Sequence, residues 1–425
     1  MDVVVIGGGL AGLAAAERLA ASGAAVTLLE AREQLGGRVR SEPSGTGGAP
    51  VELGAEWIGD QGELHDLLKG AGAHLVPAEG RQLRRTETGW EDLSALHREA
   101  ERLVRRLDTG SSDRSLRAAL VECCSGDELA PARAHLLRYV EGFHAAEPGD
   151  LSVRWLAEVE RTQPADASEN RAAESTRLAV DVLHRAIDGR CDVRLGTLAK
   201  TVGWRTGRVE IDTDEGETLR AGAAVITVPL PLLDPPSDEP AALRIMPRLE
   251  QKLEAARLLR MGPVVKVVLE LARPCWQELP GLEEALFLHT YDRPVPTWWL
   301  PVDPSLPVLT GWAGGPYAAR LAGLGRDVLR DLAVGSAADA LGMPRGDLDG
   351  QLDSFHFHDW SADPLARGGY TYVGVGGSEA HRTLAAPVAG TLFFAGEATA
   401  GGGYNATMEG ALRSGRRAAA ELMAR

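Results

Sequence analysis

An apolar run at residues 3–6 leads straight into three closely spaced glycines. After them Leu13, Ala16, Leu19 and Ala20 recur at helical spacing, and a second apolar run at 26–29 ends on Glu30. The pattern predicts strand, tight turn, helix and strand. Residues 81–190 change character, with Leu96, Leu103, Val104 and Leu107 at helical spacing among Ala, Arg and Glu, and predict a mostly helical lobe. Short strands are expected again at 193–195, 208–212 and 223–228, with turn residues 214–216 between the last two. A Pro-rich stretch, 229–247, reads as a crossing between lobes. Val264–Leu271 predicts a strand, 326–341 a helix, 370–375 a glycine-broken strand, and 392–394 followed by 406–423 a last strand–turn–helix.

Within Val264–Leu271 the alternation puts Val265, Val267, Leu269 and Leu271 on one face. Val264, Lys266, Val268 and Glu270 lie on the other. Read from pattern alone, Lys266 is an exposed lysine on the polar face of a half-buried strand.

A chain of 425 residues calls for two domains or one large fold with a second lobe. The net charge of −15 argues against nucleic acid and anionic membranes as partners. It is equally compatible with a cationic substrate and with simple solubility. Cys123, Cys124, Cys191 and Cys275 show no C-x-x-C spacing, and the adjacent pair reads as packing rather than redox. A reducing, cytoplasmic setting fits this usage. No apolar run of ~18 residues lies outside the first unit, so no membrane span is expected. His356 and His358 read as structural or surface residues, and no cluster suggests a metal site.

The opening glycines take their meaning from their setting. Gly7, Gly9 and Gly12, with Leu10 and Ala11 between them, are spaced G-x-G-x-x-G between a strand and a helix. With the acid closing the next strand, the unit signals dinucleotide binding, where a bare triplet would not. Gly7 permits the turn, Gly9 lets the backbone approach a pyrophosphate, and Gly12 lets the helix pack closely. The pyrophosphate belongs at the positive helix end. Glu30 suits ribose hydroxyls and disfavours a 2′-phosphate. A ligand-free glycine turn is the competing reading, and NAD and FAD both remain open.

Three further segments narrow this choice. Ala31 and Arg32 follow Glu30, and Gly36-Gly37-Arg38 lets the backbone run beside a ligand with a cation in reach of phosphate. Gly54-Ala55-Glu56-Trp57 sets small residues around an aromatic. Gly396 and Glu397 precede a glycine-rich loop and a second helix beginning near Thr407 and Met408. A second helix start suits the electron-rich edge of a reduced flavin. A ligand that needs both chain ends points to FAD.

These residues carry a resemblance to the flavin amine oxidase family, which includes monoamine oxidases, polyamine oxidases and lysine-specific histone demethylases. The matching stretches are GGGLAGLAAAERL, LLEAREQLGGR, GAEWIG, AVITVPLPLL, GPVVKVVLEL, WSADPLARGGYTYV and FFAGEATAGGGYNATMEGALRSGRRAA, in that order from residue 7 to residue 419. The resemblance implies an α/β, two-lobed protein: a Rossmann-like FAD-binding domain of the glutathione-reductase type with an inserted substrate domain of mixed sheet plus helices. The FAD-binding part would take 1–75, 191–232 and 385–425. The substrate domain would take 76–190 as its helical part and 233–384 as its sheet part.

The implied reaction is hydride transfer from the carbon alpha to a neutral amine onto flavin N5. It gives an imine, then an aldehyde or ketone, with O2 reoxidising the flavin to yield H2O2. A carbon–carbon desaturase on the same fold, or a flavin-binding protein without turnover, is the alternative. The resemblance reverses the reading of Lys266, implying a lysine linked through water to N5 that assists reoxidation. It makes Tyr370 one wall of an aromatic cage and puts Thr407 where the opposite wall is often a tyrosine, with Tyr404 as a partial substitute. Trp360 joins the site set, although core packing is the competing reading for Trp360 and Tyr404. Gly369 stands where covalently flavinylated members have cysteine, which implies non-covalent FAD. Ala199 lies where the family contacts adenine. The substrate is expected to be a small amine, and the oligomeric state stays open, a homodimer included.

Overall fold

The computed structural model describes residues 1–107, 109, 110, 112–162, 169–233 and 239–425. The first strand, Asp2–Ile6, is central in a five-stranded parallel sheet. Its neighbours are Ala25–Leu29 and Ala223–Ile226, with Cys191–Arg194 and Leu392–Phe394 outside them. Both faces of such a sheet are covered, so Ala223–Ile226 and Leu392–Phe394 are buried throughout rather than alternating. Residues from the start, middle and end of the chain therefore share one sheet. The predicted strands at 193–195, 208–212 and 223–228 appear as Cys191–Arg194, Arg208–Thr213 and Ala223–Ile226. Residues 234–238 of the Pro-rich stretch lie outside the described residues.

Two helices pack together on this sheet, Leu10–Ala21 and Met408–Met423. Close approach demands glycine at their crossing. A Cβ at Gly415 would stand 2.1 Å from the Ala11 carbonyl oxygen, and one at Gly12 would stand 1.9 Å from that of Gly7. The helix Arg177–Ile187 joins the same core through Ala179, Val180, Leu183 and Ile187.

A seven-stranded mixed sheet forms the second body of structure. Its order is Leu352–Asp359, Val264–Leu271, Val308–Gly314, Thr297–Trp299, Ala285–His289, Arg81–Thr86 and Gly89–Asp92. The last two strands open the segment expected to be mostly helical. Their sequence is charged, and only Leu83 of Arg81–Thr86 is fully buried, so no apolar alternation announced them. Val264–Leu271 is paired on both sides and every residue in it is buried, which corrects the half-buried reading. Val265, Val267 and Leu269 pack with the helix Arg326–Leu341, while Val268 packs on Val51 and Leu53 from the opposite side. Glu270 is buried there too, and accepts from the Gly45 amide at 2.8 Å, Ser44 and His356.

The helices Ser94–Arg106, Leu116–Cys123, Ala130–Phe143 and Val153–Thr162 supply the helical lobe. Cys124 packs in its core, but the structure joins it to Cys123 in a vicinal disulfide, against the packing-only reading. Among the described residues no helix is long and apolar enough to cross a membrane.

This lobe holds an aromatic and imidazole cluster. His144 stands edge-on to Tyr139, Phe143 and Trp155 at 5.1–5.5 Å, and His135 faces His97. Burial lowers His144 to about 4. Burial, helped by His97 and nearby arginines, lowers His135 to about 4. The unfolded chain binds protons at these sites below about pH 6.5 while the folded chain resists them down to about 4. Stability therefore falls as pH drops through that window. Urea unfolding followed from pH 7 to 4 should show this decline, and His144→Phe should flatten it. An unchanged slope in the variant would remove His144 from the explanation.

Candidate active site

The glycine turn after Asp2–Ile6 opens onto a cleft of about 1130 Å³, its mouth included. Gly7, Gly9, Leu10, Ala11, Glu30, Ala31, Arg32, Gly36, Gly37, Arg38, Ala55, Ala199, Gly396, Glu397, Thr407 and Met408 all line it. Tyr370 lines it too. One cavity thus gathers most of the residues singled out as cofactor-binding with the residue singled out as a cage wall. The cleft lies at the carboxyl ends of parallel strands, where open α/β sheets bind ligands. The other four cofactor candidates do not line it. Gly12 is held by helix packing, and a Cβ at Gly54 would meet the Arg38 carbonyl oxygen at 2.2 Å. Glu56 and Trp57 lie beside it.

The cleft fits a dinucleotide on two observations. A Cβ at Gly9 would meet no protein atom closer than the Gly36 oxygen at 3.9 Å, so internal packing does not require the glycine. The helix Leu10–Ala21 also starts without a side-chain cap, leaving its first amides aimed at the cleft. Glu30 is buried, and its two oxygens accept from the amides of Gly8 at 2.7 Å and Arg32 at 2.8 Å. Burial raises its carboxyl above the usual value, and those amides counter the effect. Each oxygen keeps lone-pair capacity for a hydroxyl.

The arginines are less free than the sequence suggested. Arg32 is held by Asp363 at 2.8 and 2.9 Å. Arg38 donates to the Glu397 carboxylate at 2.8 Å and to the Gly369 carbonyl at 2.9 Å. Glu397 also accepts from Thr371 at 2.6 Å and the Ala406 amide at 3.0 Å, tying the C-terminal loop to the Tyr370 strand. Both guanidinium charges already face carboxylates. Attraction for a pyrophosphate therefore falls mainly to the helix start.

Lys266 is the most altered expectation. Its ammonium donates to the Gly54 carbonyl at 2.9 Å and pairs with Glu56 Oε2 at 3.2 Å, with 1% of the side chain exposed. Arg171 reaches the same Glu56 oxygen at 3.2 Å, and Oε1 is buried with no hydrogen-bond partner in standard geometry among the described residues. Burial lowers Lys266 below the usual lysine value, against Glu56 and Glu52. Burial alone would raise Glu56, but Arg171 and Lys266 outweigh it and hold the carboxyl low.

The Tyr370 ring lies parallel to Trp312 at 6.2 Å, and its hydroxyl donates to the Phe143 carbonyl. Trp312 continues to Trp299 at 6.1 Å, and Trp299 to Trp57 at 5.8 Å. Lys266 lies 5.5 Å from the Trp299 ring centre. Trp360 is core: its indole donates to the Leu53 carbonyl at 3.0 Å, and it packs with Val264 and Ala366 behind Tyr370. Thr407 lines the cleft, with its hydroxyl spent capping the C-terminal helix through the Gly410 amide at 2.9 Å. Tyr404 is 43% exposed under Arg413, 4.4 Å away, and so does not supply the missing wall.

Sequence reading did not single out Arg171, Trp299, Trp312, Thr227 or Asp363. Thr227 directly follows the strand Ala223–Ile226 and donates to the Ile6 carbonyl at 2.9 Å beneath the glycine turn, a position the strand-end rule could have found. Trp299 and Trp312 lie in the strands Thr297–Trp299 and Val308–Gly314, which are largely buried without alternation and so gave no periodic signal. Arg171 left none either.

The family model described as flavin containing amine oxidoreductase matches residues 10–423. Polyamine oxidase 3 of Oryza sativa subsp. japonica is 28% identical, over all of this chain and 89% of that protein. Lysine-specific histone demethylase 2 of Homo sapiens is 25% identical over the whole chain, which spans 53% of it. Wild-type putrescine oxidase solved with putrescine superposes with a TM-score of 0.81 at 20% identity, covering 100% of this chain and 99% of that one. Cyclohexylamine oxidase from Brevibacterium oxydans IH-35A gives 0.78 at 22%, with 99% and 98% covered.

Proposed function

We propose that this chain, which belongs to the flavin containing amine oxidoreductase family and is an FAD-dependent oxidoreductase, oxidises the carbon–nitrogen bond of a small amine. The observation that carries the reading is the shared cleft, in which Tyr370 stands in one cavity with Gly7, Gly9 and Arg38. FAD held by these residues would supply a two-electron acceptor for the hydride of the carbon next to nitrogen; the resulting imine would hydrolyse to a carbonyl compound, and O2 would be reduced to H2O2.

The chain's own residues bind, orient and shield. Gly7, Gly9, Leu10 and Ala11 present the helix start to the pyrophosphate, and Glu30 accepts from the ribose. Tyr370, with Trp312 parallel to it at 6.2 Å, offers the cleft a ring face that holds an amine and keeps water away. The hydroxyl of Tyr370 is already committed to Phe143, so the ring acts as a wall rather than as a proton donor. Lys266, paired with Glu56, places a buried charge beside the aromatic wall, suited to stabilising negative charge that develops during reoxidation.

Non-covalent attachment is supported at Gly369, where a Cβ would stand 2.6 Å from Val264, leaving no room for a cysteine. Relatives named polyamine oxidases make an aliphatic amine the first substrate to try. The proposed division gives 1–75, 191–232 and 385–425 to FAD binding. The helix Arg177–Ile187 joins that side through its packing on Leu10–Ala21.

The reading is tested by O2 uptake with FAD-loaded protein and a panel of mono-, di- and polyamines. One peroxide per O2 consumed, dependent on the amine, is the expected result. Formation of an unsaturated product from an amine-free substrate, with no amine active, would replace it with desaturation.

A further inference from the structure

Asp363 lies in the turn that leaves the strand Leu352–Asp359 and returns as Tyr370–Val373. Its carboxylate is 3% exposed and carries four hydrogen bonds. One Arg32 nitrogen reaches both oxygens at 2.8 and 2.9 Å, His358 Nε2 bonds Oδ2 at 2.9 Å, and the Leu365 amide bonds Oδ1 at 2.9 Å. Its carbonyl also accepts from the amides of Ala366 at 3.2 Å and Arg367 at 2.8 Å. The turn is thus wound around this residue. It delivers Leu365, Ala366, Gly369 and Tyr370 to the cleft.

On the other side of the pair, Arg32 is fixed by its own amide, which donates to Glu30. A continuous set of contacts therefore runs from Glu30 through Arg32 and Asp363 to the turn and Tyr370. The two ends are 331 residues apart in sequence, and the pair joins the glycine-turn side of the cleft to the mixed-sheet side. The far end of the turn is pinned separately, by the Gly369 amide on Gly262 at 2.9 Å and by Arg38 on the Gly369 carbonyl.

We propose that Asp363 is a positioning residue that latches this turn across the FAD cleft, so that cofactor retention and the setting of Tyr370 depend on one ion pair, buried at Asp363 and open to the cleft at Arg32. It touches neither cofactor nor substrate and acts through Arg32 and through the turn. The inference rests on the cleft holding FAD. If the parent apoprotein takes up no FAD, that reading fails and the latch has nothing to hold.

The test titrates apoprotein with FAD by fluorescence and then measures amine KM and kcat at saturating FAD. Asp363→Asn keeps the shape but leaves Arg32 without its counter-charge. It should raise the FAD dissociation constant about 30-fold or more, the scale on which losing one partner of a hydrogen-bonded charge pair weakens binding. At saturating FAD it should raise KM more than it lowers kcat, because the wall is loosened while the reaction is not. Asp363→Glu should recover most of the affinity. Arg32→Gln should match Asp363→Asn, and the double variant should be no worse than either, since the two act as one unit. Unchanged FAD affinity in Asp363→Asn, or additive effects in the double variant, would overturn the proposal. Should Asp363→Asn fail to fold, His358→Gln decides instead. A few-fold weaker FAD binding with raised KM supports the latch, and parent-like values for both overturn it.

Discussion

Gly9→Ala should weaken FAD binding at least about 100-fold while leaving the apoprotein as stable as the parent, because one methyl group fills the space where the pyrophosphate approaches the backbone. Gly9 sits at φ −77° and ψ −179°, an extended conformation open to any residue. Among the described residues the added Cβ meets nothing nearer than the Gly36 carbonyl oxygen at 3.9 Å, an ordinary contact that does not resist it. Reduced freedom of the unfolded chain even favours the alanine slightly. Gly12→Ala is the contrasting case. Its Cβ would stand 1.9 Å from the Gly7 carbonyl oxygen, and the helix must move off the strand. Its loss of FAD should therefore come with a lowered melting temperature of the apoprotein. Thermal unfolding and FAD titration of the two variants separate a ligand-approach glycine from a packing glycine. Parent-like FAD binding by Gly9→Ala would show that the cleft does not hold the cofactor against this turn.

The second large effect is expected at Lys266. Lys266→Met should slow reoxidation of the reduced protein by O2 about 100-fold, the scale of losing one preorganised electrostatic contact, and slow reduction by amine far less. The fold should survive. Methionine fills the lysine stem, and Glu56 keeps Arg171 at 3.2 Å, so no buried carboxylate is stranded. Removing one partner of a buried pair is costly chiefly because the other charge is left uncompensated, and here Arg171 still compensates Glu56 and limits that loss. Rapid mixing separates the two half-reactions: amine with oxidised protein, then O2 with reduced protein. Equal slowing of both would remove the assigned role.

The cofactor half of the site was legible because its signals are local. A strand, a glycine turn and a helix start are contiguous in the chain, and so are Gly396 to Met408. The union of the two ends needed no sequence partner beyond small residues, which the structure uses at Gly415 against Ala11. Lys266 was legible only through resemblance. Its alternation looked like a polar face because nothing local reveals that a second layer, with Val51, Leu53 and Glu56, covers that side. The strands at 81–92 were missed because they lie at a sheet edge, where charged residues replace apolar alternation. The aromatic wall was half read. Tyr370 carried a motif, whereas Trp312 and Trp299 pair with each other's strands in the mixed sheet and reach Tyr370 only through the ring contact of Trp312. Trp360 and Tyr404 were singled out by residue type, and one proved to be core and the other surface. Asp363 sat inside a recognised stretch, but its partner lies at the opposite end of the chain.

The central claim is that one cleft holds FAD and brings an amine to Tyr370. The most direct measurement is anaerobic titration of the FAD-loaded protein with putrescine, spermidine, cyclohexylamine and simple monoamines, followed by flavin absorbance. The account predicts bleaching by at least one amine, complete at one equivalent per flavin, and colour restored by O2. A flavin that binds but stays oxidised with every amine, while dithionite reduces it normally, would contradict it.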